Sequence, residues 1–231
     1  EVKRTLQFCE LDALSQKEYQ HETSEFVRWY NDKVISGEED DFETSSNVLA
    51  RLARMRHITG LAKIPATVEF AEEFAEMNDR KLVVFVHHKD VGDILYREFV
   101  KLFGKKILIL KDNQDGFENK FQDSKRAFLI ASTLASGEGL NLQTCGDAIL
   151  HERQWNPQNE DQAAPGRFRR IGAIHKTVNV TFMTAAGTVD EILAEIVDRK
   201  RVFFHNAMNS GELPEVVEKS MAKELAEGIM N

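Results

Sequence analysis

Two arginines three residues apart, Arg167 and Arg170, close a stretch that could carry chemistry, with Gly172 just behind them. The stretch opens at Ser132, where the apolar run 127–131 gives way to small residues and to Gly137-Glu138-Gly139. Glycines let a backbone approach a ligand closely. Midway lies Trp155-Asn156-Pro157, an aromatic with a polar partner and a rigid turn. A glycine-containing loop at the end of a strand, followed by an arginine pair, suits a nucleotide held between two surfaces. The loop supplies close backbone contact, and the arginines supply positive charge where phosphate charge develops. Taken singly, each piece has a plainer reading: an ordinary loop for the glycines, a solvated basic face for Arg167, Arg169 and Arg170, and core packing for Trp155.

In order and spacing, these residues resemble the second RecA-like lobe of the Swi/Snf-type ATPases, DNA translocases of the second helicase superfamily. Residues 132–142 resemble that family's motif V, Glu152 to Pro157 its acidic-x-x-Trp-Asn-Pro box, and 162–172 its motif VI. Val84-Phe85-Val86-His87-His88-Lys89 is similar to motif IV of the annealing-helicase branch, and Gly60-Leu61-Ala62-Lys63-Ile64-Pro65 to the segment before that branch's second lobe.

The resemblance implies a role for each matching residue. Arg170 would be an arginine finger reaching the γ-phosphate of ATP bound on the other lobe, with Arg167 its partner on the same helical face. Gln162 would be the glutamine of motif VI. Here it stands five positions before Arg167 where the family spacing is four, because Pro165-Gly166 intervenes, so the helix carrying the arginines should start late. Gly137, Glu138, Gly139 and Asn141 are expected at the nucleotide. Ser132, Thr133, His88, Trp155 and Asn156 are expected on the DNA side. ATP with magnesium would sit on the first lobe, with no cofactor held by this chain alone. The implied partners are that first lobe, from the same polypeptide, and the backbone of double-stranded DNA, gripped without sequence specificity.

A complete ATP site needs more than this sequence holds. A P-loop requires Gly-x-x-x-x-Gly-Lys-Ser/Thr to cradle phosphates, whereas Gly104-Lys105 is followed by Lys106 and lacks the first glycine. No Asp-Glu-x-His box for magnesium is present either. The chain is therefore read as half of an ATPase site, inactive alone. Two other readings stay open: a non-catalytic RecA-like module that binds nucleic acid or protein, and a lobe of a strand-separating helicase. The Trp-Asn-Pro box and the paired histidines favour the Swi/Snf resemblance.

Composition bounds these readings. A chain of 231 residues, 42% of them hydrophobic, can bury a large core. The net charge of -8 does not announce a nucleic-acid binder, although a motor lobe needs only a local basic strip. Cys9 and Cys145 are the only cysteines, so no disulfide framework is implied and an intracellular setting, cytoplasmic or nuclear, is expected. No apolar run approaches a membrane span of roughly 20 residues.

The elements that must position the site follow from periodicity. Residues 1–63 read as mainly helical, and the resemblance implies that they are a linker or protrusion from the first lobe. Ser15-x-x-Glu18 has capping-box form, and Tyr19, Phe26, Tyr30 and Val34 recur at helical spacing. A second helix over 46–57 buries Val48, Leu49, Leu52 and Met55, leaving Arg51, Arg54 and Arg56 on its other faces. Those arginines are either solvated or in contact with duplex phosphates, with Arg54 the candidate. Residues 64–206 read as an α/β, RecA-like domain. Strands at 82–86, 107–110, 127–131, 148–150 and 178–183 alternate with helices at 65–77 and 90–103, and with one carrying the arginines. Continuous apolar strands argue for a parallel sheet with helices on both faces. Thr188-x-x-Glu191 should cap a long helix turning Val189, Leu193, Val197 and Phe203 inward, and 207–231 should form a helical brace or tail. His87 and His88 should point to opposite faces of a strand end, a poor arrangement for a metal.

Overall fold

Strands apolar on both sides need cover on both faces, and the computed structural model, which describes residues 1–35, 41–134, 140–210 and 218–230, supplies it. The chain divides into two units, residues 1–9 with 63–184 and residues 10–62 with 185–231.

The first unit is built on a six-stranded sheet of order β1-β6-β5-β2-β4-β3. Its strands are β1 (Val2–Cys9), β2 (Leu82–Val86), β3 (Leu108–Lys111), β4 (Ala127–Ser132), β5 (Asp147–Leu150) and β6 (Val178–Ala185). β2 pairs in parallel with both β4 and β5, opposing Val86 to Ser132 and Phe85 to Leu150; β3 and β6 add in parallel outside them. Adjacent residues on β4 face opposite ways. Phe128 meets Phe74 of α3 (Ile64–Met77) and Phe99 and Phe103 of α4 (Lys89–Phe103), ring centres 6.1, 5.9 and 5.3 Å away. Leu129 belongs to the other layer, with Phe85, Phe168 and Phe121 of α5 (Phe117–Asp123). The expected α/β class, a parallel sheet with helices on both faces, is what forms.

One departure lies at the start of the chain. Residues 2–9 are an edge strand beside β6 and not part of a helix, and Glu1 carbonyl accepts from Val178 N at 3.0 Å. The cause is main-chain pairing: Val2, Leu6 and Phe8 alternate with polar residues, yet the strand is mostly exposed, so burial left little trace.

The second unit is helical: α1 (Ala13–Trp29), which continues into a π-helical turn at Tyr30–Ile35, α2 (Asp41–Ala62), α7 (Val189–Ser210) and α8 (Glu218–Met230). Its core holds Phe26, Leu52, Met55, Val189, Leu193 and Val197. Asp12, not Ser15, caps α1: its Oδ1 accepts from Leu14 N and Ser15 N at 2.9 and 3.0 Å. Those bonds, the Ser15 backbone first, hold its carboxyl below the usual range. Thr188 does cap α7, its Oγ1 accepting from Asp190 N at 3.2 Å. Leu49 and Phe203, expected inward, are exposed, because each lies off the stripe that the neighbouring apolar residues bury. No helix among the described residues is long and apolar enough to cross a membrane.

Candidate functional site

In a parallel sheet all strand carbonyl ends open on one rim, where the backbone stops pairing with itself and becomes available to a ligand. Here Val86, Lys111, Ser132 and Leu150 end β2, β3, β4 and β5. The turn leaving β4 is held from three sides. Thr133 donates both its backbone N and its Oγ1 to Val86 carbonyl, at 2.9 and 3.1 Å. Ser132 N donates to Asp112 Oδ2 at 2.6 Å. Thr133 carbonyl accepts from Arg167 Nη2 at 3.3 Å.

Arg167 is therefore at the rim but buried, 7% exposed, with its guanidinium 5.4 Å from the centre of the Phe85 ring. Its own carbonyl accepts from Leu142 N at 3.0 Å, and its Nη1 is buried without a hydrogen bond. Burial, and then the charge of Arg170, push its pKa down from 12.5 to about 10, against the pull of Asp112. It stays cationic at neutral pH. Arg170 is exposed, as are Arg169 and Ile171 beside it.

The arginines do not share a helical face. A short helix, α6 (Pro157–Asp161), runs into a π-turn at Gln162–Gly166, where Ala164 is extended at φ -145° and ψ 117°, and residues 167–172 follow as turns. The reason is Pro165, which lacks an N–H and drives the residue before it out of helical geometry. Gln162, at the head of that turn, is exposed.

The Trp-Asn-Pro box is anchored by charges withdrawn from water. Arg153 and Glu160 are fully buried and paired through two bonds, Nε to Oε1 at 2.8 Å and Nη2 to Oε2 at 3.0 Å. The Arg153 guanidinium also lies 4.3 Å from the centre of the Phe182 ring. Asn156 caps α6, its Oδ1 accepting from Gln158 N at 2.9 Å, and Trp155 is half-buried. Glu152 reaches across to β2: its Oε2 accepts from His87 N and His88 N at 2.7 and 2.9 Å, and its Oε1 pairs with His88 Nδ1. Burial alone would raise this carboxyl, but the His88 bonds and the charges of His151 and His88 hold it well below the usual range. The two histidine rings do not point apart. They meet edge to face at 4.8 Å, because both residues have left the strand and His88 stands at the N-cap position of α4 without capping it through its side chain.

A cavity of about 220 Å³ opens between the ends of β2, β3 and β4 and the start of α4, lined by Val86, His87, Lys89, Lys111, Asp112 and Ser132. The structure thus gathers Ser132, Thr133, His88, Trp155, Asn156, Arg167 and Arg170 in the sheet unit. Asn141 lies there too, but its amide is engaged locally: its Oδ1 accepts from Gln143 N at 3.2 Å, and its backbone N donates to Glu118 at 2.9 Å. Gly137, Glu138 and Gly139 lie outside the described residues. Arg54 belongs to the helical unit, exposed and 3.3 Å from Glu22, while its neighbour Arg56 is buried. Sequence reasoning missed Asp112, Arg153 and Glu160. Asp112 had one usable signal, its place directly after a strand.

Comparison with known proteins agrees with this geometry. The class that fold and rim define is a RecA-like α/β lobe, and residues 63–172 match the model of the helicase conserved C-terminal domain. The SWI/SNF-related matrix-associated actin-dependent regulator of chromatin subfamily A-like protein 1 of Xenopus tropicalis is 31% identical over 147 residues, 62% of this chain and 15% of that protein. The crystal structure of the C-terminal part of the Fun30 ATPase domain superposes with TM-score 0.71 and 18% identity, over 99% of this chain and 96% of that one. The Sulfolobus solfataricus SWI2/SNF2 ATPase core in complex with dsDNA superposes with TM-score 0.73 and 19% identity, over 99% and 49% respectively. The chain carries a helicase conserved C-terminal domain and has the fold of Swi2/Snf2 ATPase C-terminal lobes.

Proposed function

We propose that this chain is the second motor lobe of an ATP-dependent translocase on double-stranded DNA. The observation that carries the reading is the meeting, on the carbonyl rim of the parallel sheet, of the Ser132-Thr133 turn with Arg167 and, three residues on, Arg170. Such a rim pairs a polar backbone turn with fixed positive charge, which is what a phosphoryl group shared between two lobes requires.

ATP and its magnesium ion would be held by a first lobe of the same polypeptide. Closure of that lobe brings Arg170, the exposed member of the pair, to the γ-phosphate, while Arg167 adds positive potential from behind. Gln162, Asn141 and Gly137-Glu138-Gly139 complete the nucleotide side of the cleft. The DNA backbone lies along Ser132, Thr133 and His88, with Trp155 and Asn156 shaping the edge and Arg54 adding a phosphate contact. Thr133 serves there by fixing the shape of the turn, since its hydroxyl, backbone N and carbonyl are all bonded within the sheet unit. Hydrolysis reopens the cleft and shifts the grip on the duplex. The dsDNA bound by the Sulfolobus relative supports this assignment.

The test is DNA-stimulated ATP turnover by the intact polypeptide that contains this chain. Arg170→Ala should lower the rate by roughly 10³-fold or more, the worth of an arginine finger, with duplex affinity retained. An unchanged rate would leave a non-catalytic binding module as the correct reading. The isolated chain should show no turnover; a measurable rate abolished by Arg170→Ala would equally overturn the half-site reading.

A further inference from the structure

Arg167 holds both stems of one segment. Its side chain donates to Thr133 carbonyl and its main-chain carbonyl accepts from Leu142 N, so residues nine apart in the chain are bound to the same arginine. Below it lies the Phe85 ring of β2, and Thr133 is tied in turn to Val86 of that strand. Beside it is Asp112 of the β3 end, whose carboxylate carries Ser132 N and attracts the guanidinium. Every one of these contacts points inward, and the side chain is 7% exposed. Arg170 makes the contrast, exposed on the same run of turns.

We infer that Arg167 is a positioning residue rather than a phosphate contact: it locks the segment bearing Arg170 to the end of β4, so that pressure on the Ser132-Thr133 turn moves Arg170. Asp112 assists by fixing Ser132 and balancing the guanidinium charge. The inference rests on the proposed motor reading and divides labour within it, with Arg170 touching nucleotide and Arg167 conveying the state of the DNA-side turn. A rigid link transmits displacement only while both ends are bonded, so loss of the link should uncouple the two ligands before it abolishes either.

The experiment measures ATP turnover of the intact polypeptide with and without a saturating duplex, and reads the ratio. Arg167→Gln should lower that ratio roughly 10-fold, the cost of a lost charge-assisted hydrogen bond expressed as a rate. Arg170→Gln should lower both rates together and leave the ratio intact. Arg167→Lys should restore the ratio to within about 3-fold, because Nη2 carries the Thr133 bond and Nη1 carries none, so one cation with one donor suffices. Asp112→Asn should lower the ratio by a smaller factor, and it guards against misfolding of the Gln variant. If both arginine variants lower the two rates in parallel and lysine does not rescue, Arg167 is a second phosphate contact and the inference fails. If Arg170→Gln leaves turnover untouched, the motor reading itself fails.

Discussion

Charges in the two units live under different rules. On the sheet rim, Arg153 and Glu160 are sealed from water and bound in a fixed fork, and Glu152 takes two backbone N–H groups and the His88 ring. In the helical unit, Arg54 and Arg28 reach Glu22 and Glu25 with 71% and 68% of their side chains exposed. Exposed pairs contribute little because water serves each ion almost as well. A buried charge has no such alternative, so its partner dictates where it stands. The rim is thus a set of mutually constrained positions, whereas Arg54 and Arg28 of the helical unit make loose contacts that water can replace.

Ways of breaking that contrast range from large to small. Glu160→Ala leaves Arg153 buried without its carboxylate, and denaturant unfolding of the chain should show a loss of about 3–5 kcal/mol. A loss under about 1 kcal/mol would show the pair to be solvated after all. Glu152→Gln should act through pH. Because the folded carboxyl is depressed below 4.5, its stabilisation is present above that value and is lost as pH falls through the folded pKa. Wild-type stability measured from pH 6 downward should therefore drop on the acid side of 4.5. The Gln variant should start lower, by about 1–3 kcal/mol, and show a flatter acid limb. Parallel acid limbs would remove Glu152 from that role. Arg54→Ala sits at the small end: stability should change by about 0.5 kcal/mol or less. In the intact polypeptide, duplex affinity should weaken evenly across sequences, with the salt slope reduced by about 1. An unchanged slope would return Arg54 to the solvated face.

How much was legible depends on whether a feature is local. β2 announces itself as Leu82-Val83-Val84-Phe85-Val86, since a strand covered on both faces has no polar position to offer. α4 shows its buried side through Val91, Leu95 and Phe99 at helical spacing. β1 was missed because an exposed edge strand is specified by a partner distant in sequence, β6. The helix expected for the arginines failed at Pro165, whose effect was read as a delay and proved to be a full stop. Arg153 and Glu160, seven residues apart, look like any solvated charges until the fold removes the water around them.

The order of parts is written in the residues themselves: apolar strands, the polar turn at Ser132, the Trp-Asn-Pro box and two arginines of equal chemistry. The tertiary structure alone decided that those arginines differ. Burial is a property of what folds over a residue and not of the residue, so the same guanidinium becomes a strut under Thr133 at one position and an exposed cation three residues later.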